Sequence, residues 1–238
     1  MNKRKLAIFD IDGTIFRSSL VIELVNELVA QGIFPKKAEK EIKTDYVNWV
    51  NRQGGYKDYI AKVVEIYRKN LKGSKESEVK RIVREVVSDQ KNKLYIYTRD
   101  LIKDLIEKDY FLLAISGSPA VMVSEFTKQL NFDYYFGAEY EVKNGIYTGV
   151  QIYDVGTDKT VLIKNFVEKF NDQIDLKDSI GVGDTESDIP VLEFVKKPIV
   201  FNPNLGLARY AKKKKWRIIA ERKDVIYDVL DFKIIDNS

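Results

Sequence analysis

The 238-residue sequence contains no cysteine and no histidine. The lack of cysteine excludes disulfides, thiolate nucleophiles and cysteine-ligated zinc, and the lack of histidine excludes Ser–His triads and phosphohistidine chemistry. Any catalysis must therefore rely on carboxylates, hydroxyls and lysines, together with a hard cation bound through oxygen ligands.

The sequence also has no strong excess of charge and no long apolar run. Its 40 basic and 36 acidic residues give a net charge of +4, which is too balanced to predict a nucleic-acid partner. The basic run at 212–215 ends a predicted helix, and we interpret it as a solvated face. Apolar runs such as 110–115 are too short to span a membrane.

The amino-terminal apolar run is interrupted by Asp10 and Asp12, which argues against an export signal. We therefore expect a cytoplasmic protein without membrane or nucleic-acid partners.

The pattern of apolar residues changes twice along the chain. Residues 5–10 predict a buried strand that ends in the turn "DIDGT". Residues 18–92 have helical apolar spacing with three breaks, which predicts an insertion of about four helices. From residue 93 helices and strands alternate, and Asn144-Gly145 predicts a hairpin turn. We expect an α/β core over 1–17 and 93–238, with a mostly parallel sheet covered by helices on both faces.

Acidic and hydroxyl residues follow three of the predicted strands. They are Asp10 and Asp12 after the first, Ser116 and Gly117 after the second, and Asp184 and Asp188 after the third. In a parallel sheet these carboxyl ends can converge on one crevice. Lys159 begins a predicted helix between the second and third strands, so it could project into the same crevice.

These residue types suit phosphoryl transfer. Mg²⁺ prefers carboxylate oxygens, and a carboxylate such as Asp10 can attack phosphorus to form an aspartyl-phosphate. A metal and Lys159 would offset the repulsion between nucleophile and substrate. The Ser116 hydroxyl and the Gly117 N–H could bind phosphate, while Asp12 could protonate the leaving oxygen. Taken singly, Ser116 could be a helix cap and Lys159 a surface lysine; their order on alternating strands favours one site.

Four segments in this order resemble the motifs of the haloacid dehalogenase superfamily of phosphatases: "DIDGT", "ISGSP", Lys159 and "GVGDTESDIPVL". The helical insertion, "NGIYTG" and "NPNLGLARYAKKKKW" resemble its phosphoserine-phosphatase-like branch. The resemblance implies a Rossmann-like, three-layer core whose inserted helices (18–92) form a cap that closes over the substrate. It also implies Asp10 as nucleophile, Asp12 as general acid and base, and Mg²⁺ held by Asp10, the Asp12 carbonyl and Asp184. Asp188 would support the metal site or Lys159.

The sequence departs from phosphoserine phosphatases at the residues that recognise serine. Their glutamate nine residues after the nucleophile is Ser19 here, and their substrate-binding arginine falls at about Gly55, with Arg52 close by. Their asparagine in the fourth motif is Ser187. We therefore expect a Mg²⁺-dependent phosphatase for another small phosphorylated metabolite, with Arg52 as a candidate substrate contact.

Three alternatives remain open from the sequence. A phosphotransferase or phosphomutase would share the same motifs, and a phosphoserine phosphatase is a weaker alternative. A binding protein on a phosphatase scaffold is disfavoured, because none of the predicted catalytic acids or the lysine is lost.

Overall fold

The computed structural model describes residues 3–155 and 159–234. The strands in these ranges are β1 Arg4–Phe9, β2 Phe111–Pro119, β3 Tyr134–Lys143, β4 Ile146–Tyr153, β5 Ile174–Gly183, β6 Lys197–Phe201, β7 Arg217–Arg222 and β8 Val225–Val229. The helices are α1 Leu20–Ala30, α2 Lys37–Val50, α3 Tyr56–Leu71, α4 Glu76–Gln90, α5 Ile96–Glu107, α6 Ala120–Gln129, α7 Lys159–Lys169, α8 Ile189–Phe194 and α9 Leu205–Lys214.

The strands form one sheet in the order β4-β3-β2-β1-β5-β6-β7-β8. The pairs from β3 to β7 are parallel, and only the edge strands β4 and β8 are antiparallel. The predicted mostly parallel sheet is thus confirmed. Strand β1 lies between β2 and β5, so the chain reverses its direction of growth at β1, where open α/β sheets form a ligand crevice.

Alternate side chains of β1 pack into two different apolar clusters, as the two-residue period of a strand requires. Ala7 and Phe9 belong to the cluster that contains α1, α3, α4 and α6. Leu6 and Ile8 belong to the cluster that contains α7 and α8. Helices therefore cover both faces of the sheet, in agreement with the three-layer core that was expected.

Four helices, α1 to α4, lie between β1 and α5, as the breaks in the pattern predicted. The chain leaves and re-enters the core side by side, because the Tyr95 N–H donates to the Ile15 carbonyl (3.0 Å) and the Arg17 N–H donates to the Lys93 carbonyl (2.9 Å). The division into a core and a separate cap domain stays a prediction.

The hairpin turn between β3 and β4 is confirmed, with φ of +52° at Asn144 and +75° at Gly145. Strand β8 was not predicted from the sequence. Among the described residues, every helix is too short or too polar to cross a bilayer.

Candidate active site

The site lies where the central strands end. Phe9, the last residue of β1, pairs with Ala114 of β2 and with Val182 of β5. The residues that follow these three positions include Asp10, Ser116 and Asp184, so the register brings all three to one edge of the sheet. The convergence that the sequence predicted is therefore present in the geometry.

Asp10, Asp184 and Asp188 form the acidic cluster of this edge. One carboxylate oxygen from each lies within 4.8 Å of the others. Burial raises the pKa of Asp10 well above its ordinary value, and the neighbouring Asp188 carboxylate adds to the effect. Burial and Asp188 raise the pKa of Asp184 in the same way. Such an arrangement is unfavourable without a cation.

The cluster fits a hard divalent cation. The buried Asp10 Oδ2 has no hydrogen-bond donor among the described residues, although buried carboxylate oxygens are normally satisfied. The Thr14 hydroxyl donates to Asp184 Oδ1 (3.3 Å), which leaves lone pairs on that carboxylate available. An all-oxygen donor set with two available carboxylates suits Mg²⁺.

Asp188 is less available to a cation, because both of its oxygens already have partners. Its Oδ1 lies 2.7 Å from the Lys159 ammonium, and its Oδ2 accepts from the N–H groups of Asp184 (3.1 Å) and Thr185 (3.0 Å). Lys159 Nζ also lies 3.9 Å from Asp10 Oδ1. Asp188 thus fixes the loop that carries Asp184 and aims Lys159 at Asp10.

Lys159 remains charged in this setting. Burial alone would lower the pKa of Lys159, but the carboxylates of Asp188 and Asp10 outweigh it and raise that pKa. A buried cation therefore lies beside the predicted nucleophile, where it can stabilise negative charge on a transferring phosphoryl group.

The Asp12 carboxylate lies outside the acidic cluster and is held by four contacts from three groups. It accepts from the Leu20 N–H at the start of α1 (2.5 Å), from the Ser116 hydroxyl (2.5 Å) and, on both oxygens, from the Ser118 hydroxyl (3.0 and 3.2 Å). These donors fix the position and orientation of the Asp12 side chain beside the N-terminus of α1. The contact also ties Asp12 to the first helix of the insertion.

Ser118 is a site residue that the sequence reasoning missed. Its hydroxyl donates to Asp12 and accepts from the Val21 N–H of α1 (3.2 Å). The sequence could have indicated Ser118, because residues two apart on a strand share a face and Ser116 was already a candidate.

Gly13 brings the first loop against the acidic cluster. Its φ is +86°, and a Cβ at this position would lie 2.3 Å from Asp184 Oδ2. Both the backbone conformation and the close approach require glycine. The turn after Asp12 therefore leaves room for the Asp184 carboxylate.

The remaining predicted residues occupy different places. Gly117 is exposed beside Ser116. Ser19 is the buried N-cap residue of α1, and its side chain makes no capping hydrogen bond. Arg52 is exposed in the turn between α2 and α3, with φ of +60°. The roles of these three residues stay predictions.

Tyr56, the first residue of α3, is a second residue that the sequence reasoning missed. Partial burial raises the pKa of the Tyr56 phenol, and the charges of Asp12 and Asp184 raise it further. Tyr56 also lines a cavity of about 990 Å³ whose lining includes Gly13, the residue that lies against Asp184.

The chain is similar to known proteins over most of its length. Residues 7–193 match the family model of haloacid dehalogenase-like hydrolases. A phosphoserine phosphatase of Archaeoglobus fulgidus is 25% identical over 84% of this chain, which spans 53% of that protein, or about half its length. A phosphoserine phosphatase of Methanocaldococcus jannaschii is 25% identical over 94% of this chain and 95% of its own length.

A solved structure shares the fold. The crystal structure of a protein of unknown function from Bordetella pertussis Tohama I superposes with a TM-score of 0.74, at 20% identity, over 91% of this chain and 98% of that one. At this level of identity the likeness concerns the architecture alone.

Proposed function

Because the chain belongs to the haloacid dehalogenase-like hydrolase family, as a phosphatase of its phosphoserine-phosphatase-like branch, we propose that it hydrolyses phosphomonoesters with Mg²⁺ through an aspartyl-phosphate formed on Asp10. The observation that carries the proposal is the buried Asp10 carboxylate. One oxygen lacks a donor among the described residues, and the other lies 3.9 Å from the Lys159 ammonium.

Mg²⁺ would be held by Asp10, Asp184 and the Asp12 carbonyl, and when bound it would neutralise charge on the nucleophile and on the phosphoryl oxygens. Asp188 is assigned a positioning role, because its oxygens are committed to Lys159 and to the loop N–H groups.

The chain's own residues account for both steps of the reaction. A carboxylate oxygen of Asp10 forms a bond to phosphorus while the bond from phosphorus to the alcohol oxygen breaks, and Asp12 gives its proton to that oxygen. In the second step Asp12 takes a proton from water, whose oxygen bonds to phosphorus as the Asp10–phosphorus bond breaks. Phosphate leaves, and Asp10 is restored.

The phosphoryl oxygens would be stabilised by Lys159, the Ser116 hydroxyl and the Gly117 N–H. The Ser116 hydroxyl now donates to Asp12. It would turn to the substrate when the phosphate binds, and this change would leave Asp12 with the Ser118 and Leu20 donors.

We further propose that phosphoserine is not the preferred substrate. An ammonium group that loses its water on binding needs a carboxylate or a carbonyl partner. Ser19 is uncharged and buried, so it cannot supply that charge. The cytoplasmic location inferred from the sequence likewise stays a prediction.

The test is to trap the intermediate. The protein is mixed with Mg²⁺ and a phosphomonoester that it hydrolyses, and the reaction is then quenched in acid and the protein digested. Mass spectrometry should find one phosphoryl group on the peptide that contains Asp10. The folded Asp10→Asn protein should form no adduct, and its kcat should be about three or more orders of magnitude lower. Asp172→Asn, which changes an exposed residue, should form the adduct and have the wild-type kcat. Normal turnover in folded Asp10→Asn protein would refute the mechanism. Phosphate appearing on an added alcohol would reveal a phosphotransferase.

A further inference from the structure

The cavity beside the acidic site is a groove between helices of the insertion. Residues at helical spacing on α1 form one wall, since positions three, four, seven and eight apart share a face. They are Ile22, Val25, Asn26, Val29 and Ala30. The opposite wall comes from α2, with the N-cap residue that precedes it, and from the start of α3. Its residues are Lys36, Glu39, Ile42, Lys43, Tyr46, Trp49, Tyr56 and Tyr59.

One end of the groove opens onto the acidic site. Gly13 lines it and lies against Asp184, and Tyr56 lines it as well. The N-terminus of α1 is bonded to Asp12, so the groove leads away from the site as α1 proceeds. From Ile22 to Ala30 it follows the helix for about 12 Å, at 1.5 Å per residue.

The walls are mainly apolar near the site. Trp49 contacts the rings of Tyr56 (centroids 5.1 Å apart) and Tyr59 (5.5 Å, stacked), and Tyr46 packs edge-on against Tyr59. Tyr46 is 45% exposed and Tyr56 is 38% exposed. Contiguous apolar surface that remains uncovered beside a reactive site indicates a binding groove.

The charges of the lining do not favour a cationic substrate. Arg17, Lys36 and Lys43 line the groove with a single acid, Glu39. Together with the uncharged Ser19, this excess of positive charge suits an anionic ester without an ammonium group.

We infer that the groove binds the alcohol part of the substrate and that this part is an extended apolar group, alkyl or aromatic, rather than an amino acid or a compact sugar. The inference rests on the proposed phosphatase function. A volume of about 990 Å³ is at the upper end for a small-molecule pocket, and a leaving group that follows α1 would fill it lengthwise.

Matched substrates test the inference. We expect kcat/KM to rise from ethyl to butyl to n-octyl phosphate, all below the micelle concentration. The rise should be about twofold for each methylene, because a half-open groove recovers only part of the roughly fourfold gain of full burial. 1-Naphthyl phosphate distinguishes an aromatic from an alkyl preference. Equal kcat/KM for ethyl, octyl and naphthyl phosphates would overturn the inference but leave the phosphatase proposal intact.

A blocking variant separates the groove from general effects. Ala30→Trp adds bulk at the far end of the groove, whereas Ala61→Trp makes the same change at an exposed position of α3 outside the lining. Ala30→Trp should lower kcat/KM for octyl phosphate about tenfold or more and leave ethyl phosphate unchanged, while Ala61→Trp should change neither. An equal effect of Ala30→Trp on both esters would contradict the inference.

Binding gives a readout that does not require turnover. Trp49 lines the groove, and the sequence has only one other tryptophan, Trp216. In the Asp10→Asn, Trp216→Phe protein, octyl phosphate should change the Trp49 fluorescence with a Kd at least about tenfold below that of ethyl phosphate. No preference for the octyl ester would reject the groove assignment. Preferential binding by a protein that hydrolyses none of the esters would uphold the groove and reject the phosphatase proposal.

Discussion

Removal of one carboxylate from the acidic cluster should stabilise the metal-free protein. The folded-state pKa of Asp184 is raised above its ordinary value of 3.8, first by burial and then by Asp188. The folded protein therefore binds more protons than the unfolded chain between pH 3.8 and the raised pKa, and stability falls as the pH rises through that window. In chelator at pH 8 the buried carboxylates therefore lower the free energy of unfolding.

Asp184→Asn keeps the shape of the side chain and an oxygen that can accept from Thr14, but it removes the charge. Relief of a strained functional site commonly yields about 0.5–2 kcal/mol. For a chain of this size each 1 kcal/mol moves Tm by about 2–4 °C, so Asp184→Asn should raise Tm in chelator by about 1–8 °C at pH 8. The gain should shrink toward pH 5, as the wild-type carboxylate becomes protonated.

In Mg²⁺ the wild-type protein should have a higher Tm than Asp184→Asn, the reverse of the order in chelator. At 100 times its Kd a ligand adds about 2.7 kcal/mol, which corresponds to a rise in wild-type Tm of about 5–11 °C. The rise should increase with pH, because the metal binds the deprotonated carboxylates. Asp184→Asn should lose most of the rise.

Differential scanning fluorimetry from pH 5 to 8, with chelator or with Mg²⁺, measures both effects. Asp172→Asn is the control, since it removes an exposed carboxylate outside the acidic cluster. A Tm of Asp184→Asn that is lowered equally at every pH in chelator, or a full response of this variant to Mg²⁺, would contradict the prediction.

Four further predictions concern activity and packing. Gly13→Ala should lower kcat by about a hundredfold, because the added carbon meets Asp184 and displaces it; Gly73→Ala, at a φ of +88° with no atom within 4 Å, should keep kcat and lose only about 1 kcal/mol in denaturant titration. Lys159→Met should cost about 3–5 kcal/mol in the same titration, since it leaves buried carboxylates without their cation. Ca²⁺ should inhibit the Mg²⁺-dependent reaction in steady-state assays, because its looser coordination misplaces the nucleophile, and full activity in chelator would exclude a metal role. Phosphoserine should not have the highest kcat/KM, and Arg52→Ala should selectively weaken esters that carry a second anionic group; a tenfold advantage for phosphoserine would refute the interpretation of Ser19.

The sheet edge could be predicted because its residues carry independent signals. Asp10 and Asp184 each follow a short apolar run, and such runs in alternation with helices imply parallel strands whose ends converge. Burying acids at a strand end is costly without a cation, so two such ends in one chain already indicate a shared site. The prediction needed only the order of the strands, and the register of β1 with β2 and β5 agrees with it.

The partners of Asp12 could not be predicted in the same way. Its carboxylate accepts from the Leu20 N–H, a backbone group that every residue except proline has and that lacks a partner within the helix only in the first turn. β8 was missed for a related reason, because it is a short, exposed edge strand whose residues do not alternate between apolar and polar. Both features depend on where neighbouring elements start, which composition does not specify.

The groove was hidden from sequence reasoning because its residues have the same spacing as a helical core. Val25 and Val29 are almost fully buried, yet they line the groove beside the half-exposed Tyr46 and Tyr56. Apolar residues three and four apart predict only that one face of the helix is buried. The pattern is the same whether a neighbouring helix or a ligand covers that face. What distinguishes the two is the separation of α1 from α2, a tertiary property. Chemistry at strand ends can therefore be predicted from one sequence, whereas the preference for an extended apolar ester follows only from the space between the helices.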